Sequence, residues 1–173
     1  MKFSNESNDK LTYMEDNFGK ELVPVIGGLE LLPDVKTLWE DLRDYHSRIA
    51  NDFAESVGKR SFEERAADFV DKAESSTYRI ELIKDIKSQK YVGYSISSID
   101  EAVVGEVDSL FVDECYREMK LGDLLMKNAL SWMDEYKTKK KIISVMAGND
   151  VLRFYEKYGF KARAYILEQI QKD

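Results

Sequence analysis

Between Leu110 and Leu125 the sequence changes from a strand-like apolar run, through a polar turn, to a helical pattern opening near Lys120. A helix start leaves backbone N–H groups unpaired and carries partial positive charge, so such a turn can hold a pyrophosphate through its backbone. Gly122 lets the chain approach the phosphates closely, because it has no side chain. Upstream, Glu106 and Asp108 stand two residues apart on the preceding strand and so share one face. A carboxylate on a strand beside a cleft loses hydration and becomes a better base. Other chemistries are excluded by count. The single cysteine, Cys115, permits neither an internal disulfide nor a cysteine-based zinc cluster, and the single histidine, His46, excludes a multi-histidine metal site.

These residues need elements to position them. Val35, Leu38, Leu42, Tyr45 and Ile49 recur at helical spacing and predict a helix over 34–50, with Asp34 as N-cap. Ser61 and Glu64 form a capping-box pattern at the head of a second helix over 61–74. Alternating apolar residues predict strands over 78–84, 90–99 and 103–112 in an antiparallel meander. The period then changes, giving a helix over 121–137, a strand over 141–147, a short helix over 149–158 stopped by Gly159, and a last strand over 160–169. A meander feeding a strand–helix–strand crossover makes an α/β mixed sheet with helices on both faces. All 173 residues read as one domain, with 1–10 as a loose N-terminal extension.

Arg117-Glu118-Met119-Lys120-Leu121-Gly122, followed one strand later by Phe154-Tyr155-Glu156-Lys157-Tyr158-Gly159-Phe160, resembles the paired motifs of the GNAT superfamily of N-acetyltransferases. The resemblance implies a mixed central sheet of about six to seven strands. It also implies an acetyl-CoA co-substrate without a metal, lying where the strands ending at Val112 and Ala147 splay apart. Backbone groups of Leu110 and Val112, with Phe111 between them, would pair with the pantetheine. Amides of Arg117, Glu118, Met119, Lys120, Leu121, Gly122 and Asp123 would hold the pyrophosphate, and Asn149 would touch the pantetheine. Tyr155 stands where the family places the acid that protonates the leaving thiolate. Glu106 precedes Arg117 by eleven residues, the spacing of the catalytic glutamate in the histone-acetylating branch. Asp108 is the second candidate base, and His46 lies on the helix that borders the acceptor pocket. Two departures stand out: Lys120 replaces the first glycine of the phosphate turn, and Asn149 is six rather than seven residues before Tyr155.

The implied activity is acetyl transfer from acetyl-CoA to a primary amine by direct attack in a ternary complex, the acceptor being a small molecule or peptide. The rival reading, favoured by the two departures, is a non-catalytic acyl-CoA-binding or regulatory module on the same fold. Lys and Arg total 26 against 33 Asp and Glu, a net charge of −7, which argues against a nucleic-acid partner. No apolar run reaches the ~20 residues that span a bilayer. The lone thiol and the polar first residues point to the cytoplasm, and apolar residues near the C-terminus suggest a homodimer.

Overall fold

A computed structural model describes residues 14–15 and 21–169; the expected loose extension over 1–10 lies outside the described residues. Among the described residues, six strands form one sheet in sequence order: β1 (Met14–Glu15), β2 (Glu21–Gly27), β3 (Ser76–Asp85), β4 (Lys90–Asp100), β5 (Val104–Val112) and β6 (Lys140–Ile143). Neighbours pair antiparallel through β5, and β5 pairs parallel with β6. The meander and parallel crossover are those the periodicity predicts.

The helices are α1 (Leu32–Ile49), α2 (Ala54–Lys59), α3 (Phe62–Lys72), α4 (Leu121–Glu135) and α5 (Leu152–Glu156). On one face of the sheet, Val35, Leu38 and Trp39 of α1 and Phe62 and Phe69 of α3 pack on Ile80, Leu82, Tyr94 and Ile96. On the other, Leu121, Leu125, Met126, Ala129 and Met133 of α4 cover Val92, Ile99, Val107 and Val112. The central strand β4 is buried along nearly its whole length for this reason.

Four expectations need correction. Helix α1 begins at Leu32, with Pro33 in its first turn, so Asp34 sits inside that turn, where its charge suits the helix dipole, rather than at the N-cap. The strand expected over 141–147 pairs only through Ile143, and α5 starts at Leu152 rather than at Asn149. The last strand does not form: residues 160–169 are in no helix or strand, although their composition suits one. A strand exists only where another edge accepts it, which composition cannot supply.

Helix α3 is fixed as its sequence dictates: Ser61 Oγ accepts from the Glu64 amide at 3.2 Å, and the Glu64 carboxylate accepts from the Ser61 amide at 2.8 Å. Replacing Ser61→Ala should lower unfolding stability by about 1 kcal/mol, read as a lower urea midpoint; an unchanged midpoint would show that packing alone holds α3.

Candidate active site

Strand β5 carries a bulge. Ile96 faces Ser109 and Ser97 faces Val107, leaving Asp108 as the extra residue. A bulge bends its strand and sharpens the twist. Pairing with β6 runs from Val104↔Lys140 to Val107↔Ile143 and stops at this point. Beyond it the chains diverge around a cavity of about 390 Å³, lined by Asp108–Val112 on one side and Ile143–Met146 on the other.

The exposed edge follows from the ladder. The Asp113 amide donates to the Val92 carbonyl at 3.0 Å, so the amides of Ser109, Phe111 and Asp113 turn toward β4. Those of Leu110 and Val112, alternating with them, turn to the cleft. Arg117 Nε reaches the Val112 carbonyl from that side at 3.3 Å.

The turn closing the cavity is built by side chains. Asp113 accepts from the Cys115 amide at 2.8 Å and starts a 3₁₀ turn over Glu114–Met119. Tyr116 Oη donates to Asp85 Oδ2 at 2.7 Å, pinning the turn to the end of β3. This bond lowers the Asp85 pKa and, after burial, helps push Tyr116 up to about 12. Lys120 then takes φ +59°, a left-handed conformation that favours glycine, and α4 begins. The amides of Leu121, Gly122 and Asp123 precede the first helical bond, from Leu124 to the Lys120 carbonyl, and lack intrahelical acceptors. Lys120 therefore preserves the turn that a glycine would make.

Of the residues predicted from sequence, Leu110, Phe111, Val112, Arg117, Lys120, Gly122, Asp123, Asn149, Tyr155, Asp108 and His46 line the cavity. Glu106, Glu118, Met119 and Leu121 do not. Met119 and Leu121 instead pack in the core beneath the turn. The Asp123 carboxylate is held by Lys157 Nζ at 2.7 Å and by Tyr158 Oη, which lowers its pKa and leaves its backbone, not its side chain, for an anion. Burial raises the pKa of Tyr155, and its hydroxyl has no hydrogen-bond partner among the described residues.

Asn149 has a different neighbourhood from the one expected. Its Oδ1 accepts from Tyr45 Oη at 3.2 Å, and its Nδ2 lies 3.4 Å from His46 Nε2, tying the loop after β6 to α1. Burial lowers the His46 pKa. Gly148 makes this tie possible: it has φ +86°, and a Cβ there would stand 2.6 Å from the Ile49 carbonyl oxygen. That contact with the end of α1 accounts for glycine at the position one before Asn149.

Sequence reading missed Lys72. Its Nζ lies 2.7 Å from Glu106 Oε2 and 2.6 Å from Asp108 Oδ1. The two carboxylates share a face as expected, but α3 brings a cation between them, and no local pattern reports that packing. The Asp108 side chain is only 4% exposed. Its Oδ2 and the nearby Tyr78 hydroxyl are buried without a hydrogen bond among the described residues. Burial raises the Asp108 pKa and Lys72 opposes the rise. Burial and the Asp108 charge push Tyr78 up to about 12.

The family description "Acetyltransferase (GNAT) domain" matches residues 42–169, and the chain belongs to the GNAT acetyltransferase family. Among solved structures, a mutant of the BH1408 protein from Bacillus halodurans is similar over 87% of this chain and 99% of that one, with 17% identity and a TM-score of 0.64. The aminoglycoside N-acetyltransferase AAC(6')-Iy, in complex with CoA, is similar over 90% and 97%, with 12% identity and a TM-score of 0.62. Glucosamine-6-phosphate N-acetyltransferase from Arabidopsis thaliana is similar over 87% and 99%, with 17% identity and a TM-score of 0.53. Among curated proteins, none matches the sequence at a significant level.

Two outcomes follow. A buried carboxyl with a raised pKa costs stability that is absent below the ordinary 3.8 and grows as pH rises through the folded pKa. Removing Lys72 enlarges that cost, so Lys72→Met should destabilise more at pH 7 than at pH 4 in paired urea titrations. The loss at pH 7 should be about 1–2 kcal/mol, below the value for a fully buried pair because the lysine is partly exposed; equal losses at both pH values would refute the coupling. Lys120→Gly should raise stability by up to about 1 kcal/mol by relieving the left-handed backbone; a fall in Tm would show that the lysine side chain holds the turn.

Proposed function

We propose that the protein moves an acetyl group from acetyl-CoA to a primary amine by direct attack within a ternary complex. The observation that carries this reading is the single cavity in which the free backbone edge of Leu110 and Val112, the open N-terminus of α4 and Tyr155 converge. An extended pantetheine matches a strand edge, and a pyrophosphate matches unpaired helix amides with Arg117 and Lys120 beside them.

Transfer requires a neutral amine, whereas an alkylammonium has a pKa near ~10. Of the two candidate carboxylates, Asp108 is on the cavity wall, and we assign to it, through water, removal of the amine proton. Glu106 stands off the cavity on the same lysine and becomes part of the support rather than the base. The amine nitrogen then attacks the thioester carbon, the carbon–sulfur bond breaks, Tyr155 gives its hydroxyl proton to the departing sulfur, and the second proton that the new amide nitrogen sheds returns to the phenolate through water. A high phenol pKa keeps that proton in place until the thiolate forms.

A recess of about 530 Å³ adjoins the cavity through Tyr45, Phe111 and Arg117 and carries Asp41, Asp44, Asp113 and Glu114 against Arg48 and Arg117, four carboxylates to two guanidinium groups. Burial raises the Asp41 pKa, followed by the charges of Asp113, Asp44 and Glu40. A cationic amine suits a recess of that charge, and on this reading the acceptor is a small molecule or peptide in the cytoplasm, without nucleic acid or membrane. The rival, a non-catalytic acyl-CoA-binding module, draws on Asn149, whose side chain is committed to α1.

Free-thiol release from acetyl-CoA across a panel of amines separates the two: turnover with any amine supports the enzyme, and CoA binding without turnover supports the module. With an active amine, Tyr155→Phe should lower kcat by roughly 10²–10⁴-fold with little change in CoA affinity. An unchanged kcat would return Tyr155 to a packing role against Phe154 and Phe160.

A further inference from the structure

Resting on the reading of Asp108 as the base, we propose that Lys72 and Glu106 act together as positioning residues: one lysine, shared between two carboxylates, sets the charge state in which Asp108 meets the amine. Lys72 Nζ lies 2.6 Å from Asp108 Oδ1 and 2.7 Å from Glu106 Oε2. The Asp108 side chain is 4% exposed, against 25% for Glu106 and 35% for Lys72. The trio therefore joins a buried carboxylate on the cavity wall to a partly exposed one off it. An ion pair with a buried member adds little net stability, because desolvation offsets most of the attraction. Nor does the bulge depend on the lysine alone, since Arg65 Nη2 donates to the Asp108 carbonyl at 3.3 Å. What Lys72 supplies beyond that anchor is charge at the carboxylate.

A base meets two opposed demands. It must be ionised when the amine arrives, and it must bind a proton firmly enough to take one. Burial alone favours the neutral carboxyl, which accepts no proton. A lysine given wholly to Asp108 would hold the carboxylate so firmly that it became a weak base. Sharing that lysine with Glu106 places Asp108 between these limits. The individual influences have matching signs: burial raises the Asp108 pKa, the hydrogen bond and charge of Lys72 lower it, and the charge of Glu106 raises it again. The other groups that face Asp108 do not vary its charge at neutral pH. Arg65 of α3 is a fixed cation at the carbonyl, and the Tyr78 phenol of β3, pushed up to about 12, stays neutral. Ser98 of β4, in register with Tyr78 and Glu106, is uncharged. Tyr45 and His46 of α1 line the same cavity, and burial keeps the imidazole toward its neutral form.

The test follows the Asp108 carboxyl directly, by carbon-13 resonance titration of aspartate-labelled protein, with Asp108→Asn identifying the signal. Lys72→Met should move its midpoint up by about one pH unit, and Glu106→Gln should move it down by a smaller amount. Lys72→Arg, which keeps the charge, should stay nearer the wild type than Lys72→Met. Midpoints that stay in place, or that move the same way in Lys72→Met and Glu106→Gln, overturn the sharing. If Lys72→Met does not fold, Glu106→Gln decides alone, because it leaves Lys72 and Asp108 paired: a downward move supports the sharing and a fixed midpoint overturns it. With an active amine, the acidic limb of kcat/KM should follow the same shifts, whereas a merely structural loss lowers the rate at every pH and leaves the limb in place. Midpoints that move in opposite directions under a fixed limb overturn Asp108 as the base and remove the pair from the reaction. Because the titration needs neither CoA nor an amine, that failure is distinct from a failure of the sharing itself.

Discussion

The parting of β5 from β6 after Val107↔Ile143 is the constraint on which the site depends. A continuous sheet would pair Leu110 and Val112 internally and leave no cavity. The bulge at Asp108 bends β5 away at the residue where pairing ends, so one insertion both opens the cleft and presents an unpaired backbone edge. Buried backbone groups without partners are costly, and an extended ligand that supplies hydrogen bonds removes that cost.

Polar ties hold the walls in place. Tyr116 anchors the turn to Asp85 behind the cavity, Lys157 and Tyr158 anchor the end of α5 to Asp123, and Asn149 ties the loop after β6 to α1. Asp123 and Asn149 line the cavity themselves, so the geometry of the cleft rests on side chains already engaged with one another. The Lys72 bridge has the same character, but it joins a helix on one face of the sheet to the bulge itself. The net charge of −7 is unevenly used: Arg117 and Lys120 stand beside the α4 N-terminus, while Asp41, Asp44, Asp113 and Glu114 share the neighbouring recess with Arg48 and Arg117.

Much of this was legible in the residues. The change of period at Leu121, the capping pair Ser61 and Glu64, and the alternation along β3 to β5 are local signals, and local signals suffice for elements whose apolar faces find a core. The strand–turn–helix geometry was legible too, because the open amides at a helix start are a backbone property that Lys120 leaves intact. The final strand was misread because its apolar residues look the same whether or not an edge is present to receive them.

Sequence alone determined the family, the meander with its crossover, and the positions of the Glu114–Lys120 turn and Tyr155, since each element announces itself by a pattern local to its own residues. The tertiary structure decided which carboxylate stands on the cavity wall. Glu106 and Asp108 are indistinguishable by period, and Lys72 of α3, 34 and 36 residues away, holds both; the bulge at Asp108 and its place on the cavity wall set them apart. It also decided the neighbours of Asn149, whose partners Tyr45 and His46 lie more than 100 residues earlier in the chain. Contacts of that range depend on how helices settle across a sheet, which is fixed by packing summed over the whole core and is written in no local pattern.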